Sequence, residues 1–313
     1  MNEPRKTTFL RCKGIGLEMT GECSGPWSDV QNQRAEKRFK LTRVGVTGVR
    51  KPVSVKRPGK VVTLNIVVDA FVDLPSDMKG SHLSRNVEVI GEIVDDSVRK
   101  PVESIEDLTS VICEALLERH EYASFSETHI EAEYFLERKT PLGKKSLESF
   151  KMFSNATAKR GDEQGAKREI GVEVVGMTAC PCAMETIWEE MGTKPDNVPV
   201  ITHNQRNRTV IQMDVPNGFD IEAEDLITIV ESSMSSPTYE ILKRKDEAAV
   251  VRNAHENPKF VEDVVRGILS SVLDKYTDFP DEASVRVRSE SEESIHKHNA
   301  FAERVTTFGE LRT

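Results

Sequence analysis

The chain has 313 residues, of which 37% are hydrophobic and 30% charged. That is enough for one large core or two modest ones, in a composition ordinary for a globular protein. The formal net charge of −9 argues against a nucleic-acid or anionic-membrane surface, and the 6% aromatic content argues weakly against a ring-stacking platform for sugars or single strands. An anionic small substrate remains compatible, because local basic clusters such as Lys243-Arg244-Lys245 can outweigh the global sign.

Taken in chain order, the start Met1-Asn2-Glu3-Pro4-Arg5-Lys6 leads into no apolar run, so no signal peptide is expected. No stretch approaches the roughly 18 consecutive apolar residues of a membrane helix. Cys12, Cys23, Cys113, Cys180 and Cys182 are few and odd in number. They are expected to be reduced thiols or ligands in a cytoplasmic protein. Residues 1–58, punctuated by glycines and prolines, read as an irregular N-terminal extension or loop region.

Residues 61–72 alternate strongly enough to predict a strand, broken by Asp73-Leu-Pro75. Residues 87–94 fit a short helix or strand. Residues 104–120 read as an amphipathic helix capped by Ser104, with Asp107 as its reciprocal partner. Strands are expected over 126–138 and 150–159, joined by the turn Thr140-Pro-Leu-Gly143, and over 167–175 after a polar turn. A short helix is expected over 184–191, a strand over 208–215 and a helix over 223–232 that Asp220 could cap. Residues 258–273 predict a helix with Pro258 in its first turn, and 284–291 a last strand. This order favours an α+β protein with antiparallel sheets and helices on one face. It allows two similar halves split near residues 140–165, although no sequence repeat marks them.

Chemistry concentrates in the second half. Cys180-Pro-Cys182 ends a predicted strand and opens a helix, whose terminal amides would favour thiolate forms. A redox dithiol would normally have two intervening residues. A structural zinc site would want more thiols or histidines nearby. A catalytic metal site with one thiolate and one or two imidazoles needs fewer ligands, and a pair of buried, inert cysteines is the plain alternative. His203, in Thr202-His-Asn-Gln-Arg206, has only polar neighbours and can be a ligand or an acid/base group. Glu293 and His296 share a face if helical, whereas His296 and His298 share one if extended; a solvated turn is the alternative. Glu262 and Asp263 stand at the start of an apolar helix. A carboxylate there can accept paired hydrogen bonds from a guanine-like ring, or simply be a favourable first-turn charge. The stretch from Glu240 to Glu247 would ordinarily be a salt-bridged surface. Lys79-Gly-Ser-His-Leu-Ser-Arg85 lacks a standard phosphate-loop pattern but offers a local anion grip.

Several of these stretches, in this order, resemble one family. They are Phe71-Val-Asp-Leu-Pro75 with Lys79–Arg85, Gly176-Met-Thr-Ala-Cys-Pro-Cys182, His203-Asn-Gln-Arg206, Ser235–Arg244 with Asp246-Glu247, Asn257–Asp263 and Glu293–His298. From about residue 60 to 302 the chain resembles the type IB GTP cyclohydrolases, and most of all their archaeal MptA-type members. Ala183-Met184 after the Cys-Pro-Cys and the long interval to His203 depart from the bacterial pattern.

The resemblance implies the tunnelling fold (T-fold), two tandem units of antiparallel sheet with helices on one face. It places the units at 59–160 and 161–313, the second carrying the metal-binding motifs. It implies a homodimer or homotetramer with active sites at subunit interfaces; the charge and the missing apolar runs separately lead to the expectation of a cytoplasmic protein with no nucleic acid or membrane partner. It implies GTP as substrate, hydrolysis at C8 with formate release, and 7,8-dihydroneopterin 2′,3′-cyclic phosphate as product on the way to tetrahydromethanopterin. The alternatives are the triphosphate product, a related tunnelling-fold reductase and a non-catalytic metal-binding assembly module. The implied cofactor is one Fe(II) per subunit, with Mn(II) or Zn(II) as substitutes. The implied site residues are Cys180 and His203 in catalysis; Cys180, His203, Glu247, Glu293 and His296 at the metal; Glu262 on the purine; and Lys79, Arg85, Arg206 and Arg244 on the phosphates.

Overall fold

The computed structural model describes residues 29–57, 60–192 and 198–313. The reading of the first 28 residues, Cys12 and Cys23 included, lies outside them. Eight long strands form one antiparallel sheet in the order β1-β2-β3-β4-β5-β6-β8-β9, with the two-residue β7 (Ser236–Pro237) pairing with β5. The first half runs β1 (Leu41–Arg57), β2 (Lys60–Leu74), α1 (Leu83–Arg99), α2 (Ile105–Arg119), β3 (Phe125–Lys139) and β4 (Lys145–Lys159). The second runs β5 (Lys167–Ala179), α3 (Pro181–Met191), β6 (Asn204–Asp214), α4 (Ala223–Ser233), β7, α5 (Arg244–Glu256), α6 (Val261–Lys275), β8 (Ser284–Ser291), β9 (Ala300–Thr307) and α7 (Phe308–Leu311). β4 and β5 pair from Lys151↔Glu173 to Thr157↔Lys167 and join the halves into one sheet.

Strict alternation builds the sheet. In β4, Phe150, Met152, Ala156 and Ala158 are buried while Lys151 and Lys159 are exposed, the period-2 pattern of a strand with one covered face. The helices bury their apolar stripes on that face. Val89, Ile90 and Val94 of α1 and Leu108, Ile112 and Leu116 of α2 pack with Ile66, Val68 and Ile130. Leu226 and Val230 of α4 and Val264, Ile268 and Val272 of α6 do the same beside Val172, Ile211 and Val287. The α+β expectation and the two tandem sheet-and-helix units are what the structure shows.

Several boundaries differ from expectation, each for a physical reason. Residues 41–57 are not irregular but form the edge strand β1. One of its glycines, Gly48, falls at an irregularity of the β1–β2 ladder, where the register shifts between Val46 and Val49. Gly48 sits there at φ +71° and donates its N–H to Asp69 Oδ1 at 2.7 Å, as bulges favour. Gly45 passes so close to β2 that an added Cβ would lie 1.9 Å from the Ala70 carbonyl oxygen. Ser104 caps α2 as expected, accepting from Asp107 N–H at 3.0 Å, but the Asp107 carboxylate pairs with Arg168 on β5 instead of returning to the cap. Asp220 does not cap α4, whose N-cap is Glu222 with no side-chain hydrogen bond. Pro258 precedes α6, which begins at Val261 with Asp263 Oδ2 accepting from Phe260 N–H at 3.0 Å. The charged run before residue 247 ends in the first turn of α5. β9 lies beyond the expected last strand and has a single buried residue, Thr306, so its sequence carries little alternation.

Asp73 fastens β2 to β3. Its Oδ1 accepts from Ser124 and Phe125 N–H at 2.8 and 2.9 Å, its Oδ2 from the Ser124 hydroxyl at 2.6 Å, and Lys40 Nζ lies 2.9 Å away. Burial raises the carboxyl's pKa, but the bonds from Ser124, Lys40 and Phe125 outweigh it and hold it at about 2. A carboxyl depressed in the fold stabilises it above the unfolded value near 4 and loses that stabilisation as pH falls towards about 2. Asp73→Asn is therefore expected to lower stability by about 2 kcal/mol near neutral pH. In urea unfolding, its difference from the wild type should shrink between about pH 4 and pH 2.

Candidate active site

Three neighbouring strands end together in the second half. β5 and β6 pair through Thr178↔Gln205 and Ala179↔Asn204. One step further the Cys180 N–H donates to the His203 carbonyl at 3.0 Å. The Thr202 hydroxyl donates to the Cys180 carbonyl at 2.7 Å. β8 reaches the same end on the other side of β6, where Glu292 N–H donates to the Arg206 carbonyl at 2.9 Å. Cys180, His203 and Glu293 are thus brought together by backbone pairing, before any side-chain preference acts.

Cys180 is the N-cap of α3, with Pro181 at the first helical position. Its Sγ accepts from Ala183 N–H at 3.5 Å, so the sulfur caps the first turn of the helix. Cys182 is exposed one residue into the helix. His203 and Glu293 are nearly buried, with 11% and 12% of their side chains exposed. His203 Nδ1 lies 2.9 Å from Gln205 Oε1 and 3.6 Å from Glu293 Oε2. His296 sits in the β8–β9 connection, which is neither helix nor strand. Its ring meets His203 edge-on at a 6.3 Å centroid distance and stacks on His298 at 5.2 Å.

Below this cluster, the strand faces that elsewhere carry the core become polar. Thr178 Oγ1 accepts from Gln205 Nε2 at 3.1 Å and bonds Ser291 Oγ at 2.8 Å. Asn207 Nδ2 donates to Ser291 and Ser289 Oγ at 3.0 and 2.8 Å. His255 of α5, also buried, contacts the Val251 carbonyl through Nδ1 at 2.8 Å and the Thr202 carbonyl through Nε2 at 3.1 Å. Sequence reasoning singled out none of Thr178, Gln205, Asn207, His255 or Ser291. The period of two was the available signal, because Gln205 and Asn207 fall on the His203 side of a strand whose next such positions, Thr209 and Ile211, are buried.

The remaining candidates divide by location. Glu262 is exposed in the first turn of α6. The approach to that helix is tied to the site by Lys259 N–H donating to the Ala179 carbonyl at 3.0 Å. Arg206 is exposed and falls on the opposite face of β6 from Gln205. Arg244 and Glu247 line a cavity of about 530 Å³ with Ile201, Val251 and His255. Lys79 and Arg85 lie in the first half, where Lys79 Nζ donates to Gln33 Oε1 and Arg85 Nη1 to the Arg119 carbonyl, each at 3.3 Å. Arg85 and His82 line a separate cavity of about 900 Å³ with Arg119 and Tyr122. Beneath it, Asn86 Nδ2 donates to the Ala70 carbonyl at 3.1 Å, so its Oδ1 accepts from His120 Nε2–H at 2.9 Å. Tyr122 then donates to His120 Nδ1 at 2.9 Å, and Ser81 to Tyr122 at 2.7 Å. Burial, then the charges of Arg85, His82 and Arg119, push His120 down to about 4, which keeps this relay neutral.

Thiolate, imidazole and carboxylate are donors that suit iron or zinc, and Cys180, His203 and Glu293 supply one of each. Among the described residues, no group of three or more His, Cys, Asp or Glu side chains is arranged to hold a metal ion. The donor types fit a metal, while a complete shell is not assembled within the described residues of one chain. The Thr178 hydroxyl supports the cluster from below. Thr178→Val is expected to cost about 1–3 kcal/mol in chemical unfolding, by leaving buried partners short of a bond; Thr178→Ser should recover most of it.

With the geometry in place, comparisons with known proteins add two findings. The fold is similar to that of uricase from Arthrobacter globiformis, with a TM-score of 0.51 over 85% of this chain and 93% of that one, at 6% identity. That likeness concerns the fold alone, the tunnelling fold. In sequence, the chain is 44% identical over 301 residues to GTP cyclohydrolase MptA 2 of Methanocella arvoryzae, covering 91% of this chain and 97% of the relative. It is 45% identical over 311 residues to GTP cyclohydrolase MptA of Methanosarcina mazei, covering 93% and 98%. Against GTP cyclohydrolase MptA of Methanothermobacter thermautotrophicus it is 43% identical over 300 residues, covering 91% and 94%. The family model described as Type I GTP cyclohydrolase folE2 matches residues 27–302, and the chain belongs to that family.

Proposed function

We propose that this protein is a GTP cyclohydrolase that opens the purine ring of GTP at C8 and releases that carbon as formate. Its product on this reading is 7,8-dihydroneopterin 2′,3′-cyclic phosphate, the first intermediate towards tetrahydromethanopterin. The observation that carries the reading is the convergence of Cys180, His203 and Glu293 at one end of β5, β6 and β8, in a chain of this family.

The residues then have separate tasks. Cys180 and His203 would hold an Fe(II), with Glu247, Glu293 and His296 as further donors and Mn(II) or Zn(II) as substitutes. Such an ion supplies the Lewis acidity that makes water a nucleophile at neutral pH. Glu262 accepts paired N–H bonds from the guanine edge and so fixes which carbon faces the nucleophile. His203 carries a proton to or from the purine nitrogens as the ring opens. Lys79, Arg85, Arg206 and Arg244 neutralise the triphosphate.

These groups come from both halves of the chain and from both faces of β6. Their separation supports a homodimer or homotetramer in which neighbouring copies complete each site. We place the boundary between the two units at the β4–β5 connection, so the first includes β1 and the second begins near residue 161. No helix among the described residues is long and apolar enough to cross a membrane. The net charge of −9 supports a cytoplasmic enzyme without nucleic-acid or anionic-membrane partners.

Anaerobic, iron-loaded protein is expected to release one formate per GTP and to give a pterin that fluoresces after oxidation. The phosphate content of the pterin distinguishes the cyclic phosphate from the triphosphate. Cys180→Ala should reduce formate release to background. Absence of formate with every divalent metal tried would refute the proposal and leave a non-catalytic assembly module.

A further inference from the structure

We propose that Gln205 is a positioning residue that fixes His203 as the tautomer protonated at Nδ1, leaving the Nε2 lone pair for the reaction. The inference rests on the reading of His203 as a site residue. It goes further in naming which ring nitrogen is available and what enforces that choice.

The argument turns on which groups can donate. The side-chain nitrogen of Gln205 lies 3.3 Å from Glu293 Oε1 and 3.1 Å from Thr178 Oγ1. A carboxylate only accepts hydrogen bonds. The amide must therefore present its NH₂ to Glu293. The reverse orientation would set the amide oxygen against a carboxylate oxygen with no proton between them. With the NH₂ so placed, Gln205 Oε1 faces His203 Nδ1 at 2.9 Å. Amide oxygen is an acceptor, so Nδ1 must carry the hydrogen. Glu293 Oε2, 3.6 Å from the same nitrogen, favours the same proton position. Two acceptors therefore lie on the Nδ1 side of the ring, and neutral His203 retains its lone pair at Nε2.

The support behind the amide is rigid. Gln205 is 8% exposed and Thr178 1%. Thr178 is held in turn by Ser291 Oγ at 2.8 Å, and Ser291 by Asn207 Nδ2 at 3.0 Å. The strand backbone sets the spacing, because Thr178 and Gln205 are paired residues of the β5–β6 ladder. Rotating the amide would break its bonds to Thr178 and Glu293 together. This is how an outer group orients an imidazole ligand and sets its basicity.

The test reads the tautomer directly. Long-range ¹H–¹⁵N correlation spectra are recorded on full-length, ¹⁵N-histidine-labelled protein, zinc-loaded and after chelation, with the His203 signals assigned by their loss in His203→Asn. A protonated, pyrrole-type Nδ1 is expected in both states. A protonated Nε2 in the chelated wild type would overturn the inference, and this spectrum needs no Gln205 variant to fold. Gln205→Leu removes both ends of the amide at similar volume. Its chelated form should show mixed tautomers, and its affinity for Co(II) should fall by about 10- to 100-fold. Its kcat for formate release should fall far more than its KM for GTP changes. Unchanged tautomer and unchanged Co(II) affinity in a folded Gln205→Leu protein would overturn the positioning role. Wild-type protein with the Nδ1–H signature but no formate release would overturn the cyclohydrolase reading and leave the tautomer assignment standing.

Discussion

The pairing of β5 with β6 is the constraint on which the rest of the site depends. Ile170↔Met213 and Val172↔Ile211 lie over the core, and Val174↔Thr209, Gly176↔Asn207 and Thr178↔Gln205 follow in register. Along this single face the ladder passes from aliphatic to polar, and one step beyond its last pair Cys180 meets His203. A slip of one residue would turn every one of these side chains to the other face. The apolar end of the ladder prevents that slip, since Val172 and Ile211 are both fully buried beneath the helices. Burial of hydrocarbon at one end thereby positions a thiol and an imidazole at the other.

The packing above that ladder leaves little freedom. An added Cβ on Gly176 would lie 2.1 Å from Met234 Sδ and 3.1 Å from the Ser236 carbonyl oxygen. A side chain at this position would push away the segment that carries Ser235, whose hydroxyl accepts from Ala179 N–H at 3.1 Å. Asn257 Nδ2 in turn holds the Met234 carbonyl at 3.0 Å, which brings the α5–α6 connection to the strand end. Cys180, His203 and the start of α6 are therefore fixed by a common set of backbone contacts. The first half has a polar relay of its own, in which a buried neutral His120 lies under the cavity that Arg85 lines. Lys79 and Arg85 lie beside that relay, apart from Cys180, His203 and Glu293 in the second half.

Legibility in the sequence followed the physics of each element. Strands with one covered face, such as β2 and β4, advertise themselves through alternation, and α2 and α6 through apolar stripes. β1 was concealed because bulges need the same glycines that loops use. β9 was concealed because an edge strand with little burial has no pattern to show. Cys180 and His203 stood out because a Cys-Pro-Cys and a histidine in a wholly polar stretch are poorly suited to a core. Gln205, Asn207 and Thr178 did not, because their importance comes from partners on other strands. The candidate donors Glu293 and His296 were identifiable as residue types, but their geometry was not, since the connection that carries them is neither helix nor strand.

By itself, the sequence determined the α+β class, most of the strands and helices, and the residue types able to serve the site. These follow from periodicity and side-chain chemistry, which are local. Only the tertiary structure decided that Cys180, His203 and Glu293 share one end of the sheet, whereas Lys79 and Arg85 belong to the other half. It also decided how the Gln205 amide is turned. That orientation depends on Thr178 and Glu293, which are 27 and 88 residues away along the chain, and strand pairing alone brings them within hydrogen-bonding reach.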